Sequence, residues 1–152
     1  MSGFVSEKNV LLHQQAASRE EALRIMSDLS VELGAADDAD EVYKGFLARE
    51  EIDQTGMMDG FAIPHCKTEA VKQAAVMVFK NETALEWPSM DGKPIDICIA
   101  LLVPGAEAGT THLRLLSKAA MLLMDDGFKT LVREGDDAAA IAAAINEELE
   151  KE

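Results

Sequence analysis

The histidines and cysteines of this chain are the side chains best suited to transferring a group or a proton. His65 ends the stretch GFAIPH, which spans residues 60–65, and Cys66 follows it directly. Binding residues tend to collect where a rigid strand passes into a loop, although an ordinary loop histidine would also fit this position. His112 lies where a helix is predicted to begin, and the free N–H groups of a helix N-terminus favour an anion such as phosphate.

The pairing of His65 with Cys66 raises a second possibility, a cysteine nucleophile with a histidine base. Adjacent residues on an extended chain point to opposite sides, so these two side chains are poorly placed to share a proton. We therefore interpret Cys66 as a small packing residue and rank a hydrolase that uses this pair last. Arg49, near the predicted end of a helix, is either a solvated residue favoured by the helix dipole or part of a site.

Motifs for metal and nucleotide chemistry are missing from the sequence. There is no CxxC or HExxH spacing for zinc, and neither a GxxxxGK[ST] phosphate loop nor a GxGxxG fingerprint. We expect no metal and no cofactor.

Composition restricts the class of protein. The 152 residues are 48% hydrophobic and carry 14 basic against 28 acidic side chains, a formal net charge of −14. Such a surface repels nucleic acid and anionic membranes and favours partners with a basic face. The N-terminus lacks the pattern of a signal peptide, and no apolar run approaches the ~20 residues that span a bilayer. We therefore expect a soluble, cytoplasmic protein that does not insert into a membrane.

The elements that must position these residues alternate between strands and helices. Strands are predicted at 10–12, 61–63, 74–79 and 95–103, and helices begin after Ser18, near Asp38, at Thr110, near Phe128 and at Asp137. No linker or repeat divides the chain, so residues 1–152 are expected to form a single α/β domain with helices on both faces of a sheet.

At this level of detail the chain resembles a known family. The segments AREEIDQTGMMDGFAIPH, AAVMVF, EWPSMDGKPIDICIALLVP and THLRLLSKAAMLL resemble the IIA domain of the fructose–mannitol class of the bacterial sugar phosphotransferase system (PTS EIIA type 2). The likeness covers nearly the whole chain and is weakest over about the first 35 residues. Its most specific element is G-x-A-[IL]-P-H, met by residues 60–65.

The resemblance implies a site and partners. It makes His65 the phosphorylated nucleophile, places Arg49 and His112 in the same pocket, and lets Thr55 and Gly56 supply hydroxyl and backbone donors to the phosphoryl group. It implies a mixed sheet, a phosphoryl donor (the carrier protein HPr), an acceptor cysteine on a IIB domain or subunit, and association with a IIC permease through IIB. Cys66 departs from the family pattern, where a small residue is expected, and adds an oxidisable thiol beside the histidine.

Two functions follow from this resemblance. One is a phosphoryl carrier for uptake of a fructose-type sugar or hexitol. The alternative is a regulatory, nitrogen-type relative whose phosphorylation state controls partner proteins. The EWPSMDGKPIDI and HLRLLSKAA segments look more like the transport units.

Overall fold

A computed structural model describes residues 5–106 and 109–151, except for the side chains of residues 110–112. After a short 3-10 helix at Glu7–Asn9, the strands are β1 (Val10–Gln14), β2 (Phe61–Ala62), β3 (His65–Thr68), β4 (Ala75–Leu85) and β5 (Ile95–Pro104). The helices are α1 (Arg19–Glu32), α2 (Ala39–Ile52), α3 (Gly109–Leu122), α4 (Asp126–Glu134) and α5 (Ala138–Glu150).

The strands form one mixed sheet, as the resemblance implied. β1 lies parallel to β4, β4 lies antiparallel to β5, and both β2 and β3 run parallel to β5 along its other side. In register, Phe61 lies opposite Ile97, and His65 lies opposite Leu101. β5 is therefore the strand that fixes where the GFAIPH segment lies.

Alternating side chains of β4 and β5 divide the core into two halves, because successive residues of a strand point to opposite faces. Met77, Phe79 and Leu102 pack with α1 and α2 on one face. On the other face, Val78 and Leu101 pack with residues of α3, α4 and α5. The prediction of an α/β sheet with helices on both faces is confirmed.

Helix starts follow the side chains that cap them. Ser18 accepts a hydrogen bond from the backbone N–H of Glu21, and Asp38 accepts from those of Asp40 and Glu41. Such caps satisfy N–H groups that have no partner inside the helix. The predicted starts of α1 and α2 are therefore confirmed.

The largest differences from the sequence prediction are in β3 and β4. β4 continues to Leu85 instead of ending at Phe79, and β3 was not predicted at all. β3 reads HCKT, which shows no alternation of apolar and polar residues that would predict a strand. It is a strand because it pairs with β5. His65 accordingly begins a strand; the preceding strand ends at Ala62.

No helix in the described part of the chain is long and apolar enough to cross a bilayer.

Candidate functional site

The ring of His65 is held by a hydrogen bond to a backbone carbonyl two residues earlier in the chain. Its side chain is only 5% exposed, and its Nδ1 lies 2.9 Å from the carbonyl oxygen of Ile63. A carbonyl oxygen can only accept, so Nδ1 carries the proton and donates it to Ile63. In the neutral ring this leaves the lone pair on Nε2, the nitrogen available to attack an electrophile.

Arg49 lies against that nitrogen. Its Nε–H donates to Nε2 of His65 at 2.8 Å, and its Nη1–H donates to the backbone oxygen of Asp53 at 2.7 Å. The second bond ties the guanidinium to the residue that ends α2, because Asp53 is the C-cap of this helix. The site thus combines a neutral nitrogen with a permanently charged, planar group in contact with it.

Thr55 lies just behind the site, hydrogen-bonded to a buried carboxylate. Its hydroxyl donates to Glu50, and the indole Nε1–H of Trp87 donates to the other Glu50 oxygen at 3.2 Å. Thr55, Glu50 and Trp87 are 3%, 8% and 5% exposed. The backbone oxygen of Thr55 also accepts from the N–H of Ile63 at 3.0 Å, which links this cluster to the strand segment before His65.

Gly56 is required by a close approach of two backbone segments. It forms isolated bridges to Ala62 and to Ser89, and a Cβ placed on it would lie 2.7 Å from the Cβ of Ser89. Its carbonyl accepts from the N–H of Met90 at 3.1 Å. Any side chain at this position would force the two segments apart.

The loop before β2 is also anchored to α4. Arg133 forms an ion pair with Asp96 at 2.7 Å and donates to the backbone oxygen of Asp59 at 2.8 Å. Lys129 pairs with the Asp59 carboxylate at 3.0 Å. These contacts fix the loop between α2 and β2 from the side opposite Arg49.

Cys66 belongs to the packing between α2 and the sheet. It is 2% exposed, and its thiol lies in the core half that contains α1 and α2. Burial raises its pKa to about 12, so the thiol stays protonated and unreactive at neutral pH. The interpretation of Cys66 as a packing residue is supported, and the expected oxidisable thiol is shielded.

His112 lies within the first turns of α3, as the sequence predicted, but its side chain lies outside the described part of the structure. Its place in the pocket stays a prediction.

Exposed apolar side chains accompany the segments around the site. Ile52 at the end of α2, Met58 in the following loop and Met90 are 78%, 51% and 62% exposed. Ile52 lies three residues after Arg49 on α2. The backbone N–H of Met90 donates to the backbone oxygen of Gly56. Apolar side chains that form a contiguous exposed patch are typical of surfaces that meet other proteins.

Sequence reasoning missed the buried Glu50 and the Ile63 carbonyl. Glu50 had a visible signal, since Val42, Phe46 and Glu50 recur at four-residue spacing and share the buried side of α2. A carboxylate in that row predicts a buried polar partner. Nothing in the sequence identifies a backbone oxygen as the orienting group for His65.

The site can act as an acceptor of an electrophilic, anionic group. Nε2 offers a lone pair, Nδ1–H is held by a carbonyl, and Arg49 supplies positive charge next to the attacking nitrogen. Among the described residues, no group of three His, Cys, Asp or Glu side chains is arranged to hold a metal ion.

Comparison with known proteins identifies the family of this chain. The family model described as "Phosphoenolpyruvate-dependent sugar phosphotransferase system, EIIA 2" matches residues 3–148. The chain belongs to this family. Members of the family are phosphotransfer proteins, so the chain is a phosphotransferase-system EIIA-type domain.

This chain is similar to relatives of two kinds, sugar-specific EIIA components and nitrogen regulatory proteins. The fructose-specific EIIA component of Haloferax volcanii is 30% identical over 141 residues, covering 93% of this chain and 91% of the relative. The nitrogen regulatory protein of Klebsiella oxytoca is 40% identical over 135 residues, covering 88% and 80%. The 2-O-alpha-mannosyl-D-glycerate-specific EIIABC component of Escherichia coli is 31% identical over 137 residues. The match covers 90% of this chain but only 21% of that relative, which is much longer.

A solved structure supports the fold. The nitrogen regulatory protein IIA-Ntr of Neisseria meningitidis superimposes with a TM-score of 0.85 at 25% identity, covering 93% of this chain and 96% of that one. A regulatory relative thus shares this fold.

Proposed function

We propose that this chain is a phosphoryl carrier that accepts a phosphoryl group from phospho-HPr on His65 and passes it to a cysteine of a cognate IIB unit. The observation that carries the proposal is the contact between Nε2 of His65 and the guanidinium of Arg49, with Nδ1–H held by Ile63. A metal is not needed in this scheme.

In the first step, the Nε2 lone pair of His65 attacks the phosphorus of the phosphohistidine on HPr. A new N–P bond forms as the old one breaks, and its electron pair returns to the imidazole of HPr. The proton on Nδ1 of His65 stays in place, and the Ile63 carbonyl stabilises the positive charge that the ring gains. In the second step a cysteine thiolate of IIB attacks the phosphorus, and the breaking N–P bond returns its electron pair to Nε2.

Arg49 has two successive roles in this mechanism. Its Nε–H occupies the Nε2 lone pair in the unphosphorylated protein, so the guanidinium must yield that position to the incoming phosphorus. It then donates to phosphoryl oxygens, whose charge spreads over all three during transfer. We assign His112 as a second donor. Thr55 and Gly56 shape the same loop, and their contact with the phosphoryl group remains a prediction.

Docking of the partners would use the apolar side chains around the site and the acidic surface. Ile52, Met58 and Met90 provide the apolar contact, and the net charge of −14 favours basic faces on HPr and on IIB. Sequential binding of two partners on one face calls for modest, electrostatically steered interfaces. The E. coli relative named EIIABC supports a connection to IIB and IIC units, through which we place this chain in the cytoplasm beside a membrane permease.

A regulatory role is the second candidate, and one relative of higher identity supports it. The nitrogen regulatory protein of K. oxytoca is 40% identical to this chain, against 30% for the fructose-specific component of H. volcanii. In that role His65 would receive the phosphoryl group in the same way, but its phosphorylation state would control binding to another protein.

Discharge of the phosphorylated chain separates the two candidates. We expect rapid loss of the label when a cognate IIB unit is added, and none with free fructose, mannitol or galactitol, because the carrier reacts only with proteins. The transfer should slow as salt rises to physiological strength, since surface charges are then screened. Discharge by a free sugar alone would overturn the carrier proposal. A stable label with every IIB unit of the genome would favour the regulatory role.

A further inference from the structure

Helix α2 contains a glycine where it crosses β3. Gly45 lies in the middle of α2, a position where glycine is less favourable than alanine. A Cβ at this position would lie 2.5 Å from Sγ of Cys66 and 3.6 Å from its Cβ. The sulfur therefore occupies the space that an alanine methyl would need.

The thiol has little freedom to move aside. Cys66 is 2% exposed and belongs to the core half that includes Val42 and Phe46 of the same helix. In a close-packed interior, turning the sulfur away requires space that neighbouring side chains already fill. An added methyl at residue 45 is then accommodated by widening the gap between helix and strand.

Gly45 and Cys66 each lie close in the sequence to a residue of the candidate site. Gly45 is four residues before Arg49, so both lie on the same side of α2. Cys66 directly follows His65 on β3. The distance between helix and strand at Gly45 and Cys66 therefore sets the distance between Arg49 and His65.

The hydrogen bond between Arg49 and His65 tolerates only a small increase in the distance between its two nitrogen atoms. Nε of Arg49 lies 2.8 Å from Nε2 of His65, and such hydrogen bonds are kept only up to about 3.2 Å. Relieving a 2.5 Å contact to an ordinary separation of about 3.5 Å moves the two elements apart by ~1 Å. A shift of that size breaks the hydrogen bond.

We infer that Gly45 and Cys66 form a size-matched pair that positions Arg49 on the Nε2 atom of His65. The glycine provides the space that the sulfur of Cys66 occupies. The positional part of this inference is independent of the phosphoryl carrier role, and its effect on transfer rests on the proposed function.

Three variants test the pair: Gly45→Ala, Cys66→Ala, and the two combined. Gly45→Ala should shift the ¹⁵N resonance of His65 Nε2 toward that seen in Arg49→Ala, and it should slow transfer from phospho-HPr tenfold or more, up to the 10²–10³ expected for losing one donor. Cys66→Ala removes the sulfur and should stay within threefold of the wild-type rate. In the double variant the new Cβ meets only a Cβ at 3.6 Å, so both the resonance and the rate should return to those of Cys66→Ala.

The control is Gly109→Ala on α3, where an added Cβ meets no atom of the described residues within 4 Å, and it should leave the Nε2 resonance unchanged. If Gly45→Ala does not fold, Gly45→Ala/Cys66→Ser, with a smaller oxygen in place of sulfur, replaces it and should show an intermediate shift. An unmoved Nε2 resonance in Gly45→Ala or its replacement would overturn the inference, as would a double variant that remains shifted. If the resonance shifts in Gly45→Ala and returns in the double variant, but HPr cannot phosphorylate the wild-type protein, the pair stands and the carrier role is refuted.

Discussion

The buried carboxylate of Glu50 is expected to be among the most sensitive positions of the site for stability. It accepts from the Thr55 hydroxyl and from the Trp87 indole N–H, and all three side chains are at least nine-tenths buried. Glu50→Ala leaves both donors without this partner. Each such loss costs about 1–3 kcal/mol, and part is regained because a buried charge no longer has to be desolvated. We expect a net loss of about 2–3 kcal/mol in the free energy of unfolding.

The chain offers a direct assay for this change. Trp87 is its single tryptophan, so intrinsic fluorescence during denaturant unfolding reports on the indole that Glu50 holds. Far-ultraviolet circular dichroism on the same samples checks that unfolding is two-state. The free energy of unfolding follows by linear extrapolation to zero denaturant.

Two matched variants make the result interpretable. Glu50→Gln keeps a carbonyl acceptor for Trp87 and an amide that can bond the Thr55 oxygen, so it should lose less than about 1.5 kcal/mol. Glu51→Ala removes the neighbouring, exposed carboxylate and should stay within about 0.5 kcal/mol of wild type. Equal stability of Glu50→Ala and Glu51→Ala would refute the reasoning.

Three further predictions concern the site and the thiols. Arg49→Ala should slow transfer from phospho-HPr by about 10²–10³, and Arg49→Lys should restore only part of it because an ammonium lacks the planar fork; rapid-quench rates within twofold of wild type would make Arg49 a bystander. His112→Ala should cost less than Arg49→Ala or change the pH dependence of the same rate, since imidazole is a weaker and titratable donor; an unchanged rate and pH profile would remove it from the site. Because burial raises the pKa of Cys66 to about 12, only ~10⁻⁴ of that thiol is ionised at pH 8, and burial raises the pKa of Cys98 as well, so a thiol reagent should react with both only after unfolding; rapid labelling of the folded chain would contradict this burial.

Sequence patterns identified most of the elements because their signals are local. The caps at Ser18 and Asp38, and the apolar run of β5, are short-range features that the fold retains. β3 was missed because its four residues are stabilised by pairing with β5, which a local pattern does not contain.

The candidate site was predictable in part for the same reason. The resemblance pointed to His65 and Arg49, which the structure brings into contact. The Ile63 carbonyl that fixes the tautomer, and the space at Gly45 that receives the sulfur of Cys66, depend on distances between elements. Such distances arise only when the helix packs on the strand.

The central claim is that His65 carries the phosphoryl group, and site-resolved phosphorylation tests it most directly. The chain is incubated with enzyme I, HPr and phosphoenolpyruvate, and the modified residue is located by mass spectrometry at a pH that preserves phosphohistidine. We predict one acid-labile, base-stable phosphoryl group per chain on His65, retained in His13→Ala and lost in His65→Ala. Full labelling of His65→Ala would contradict the account.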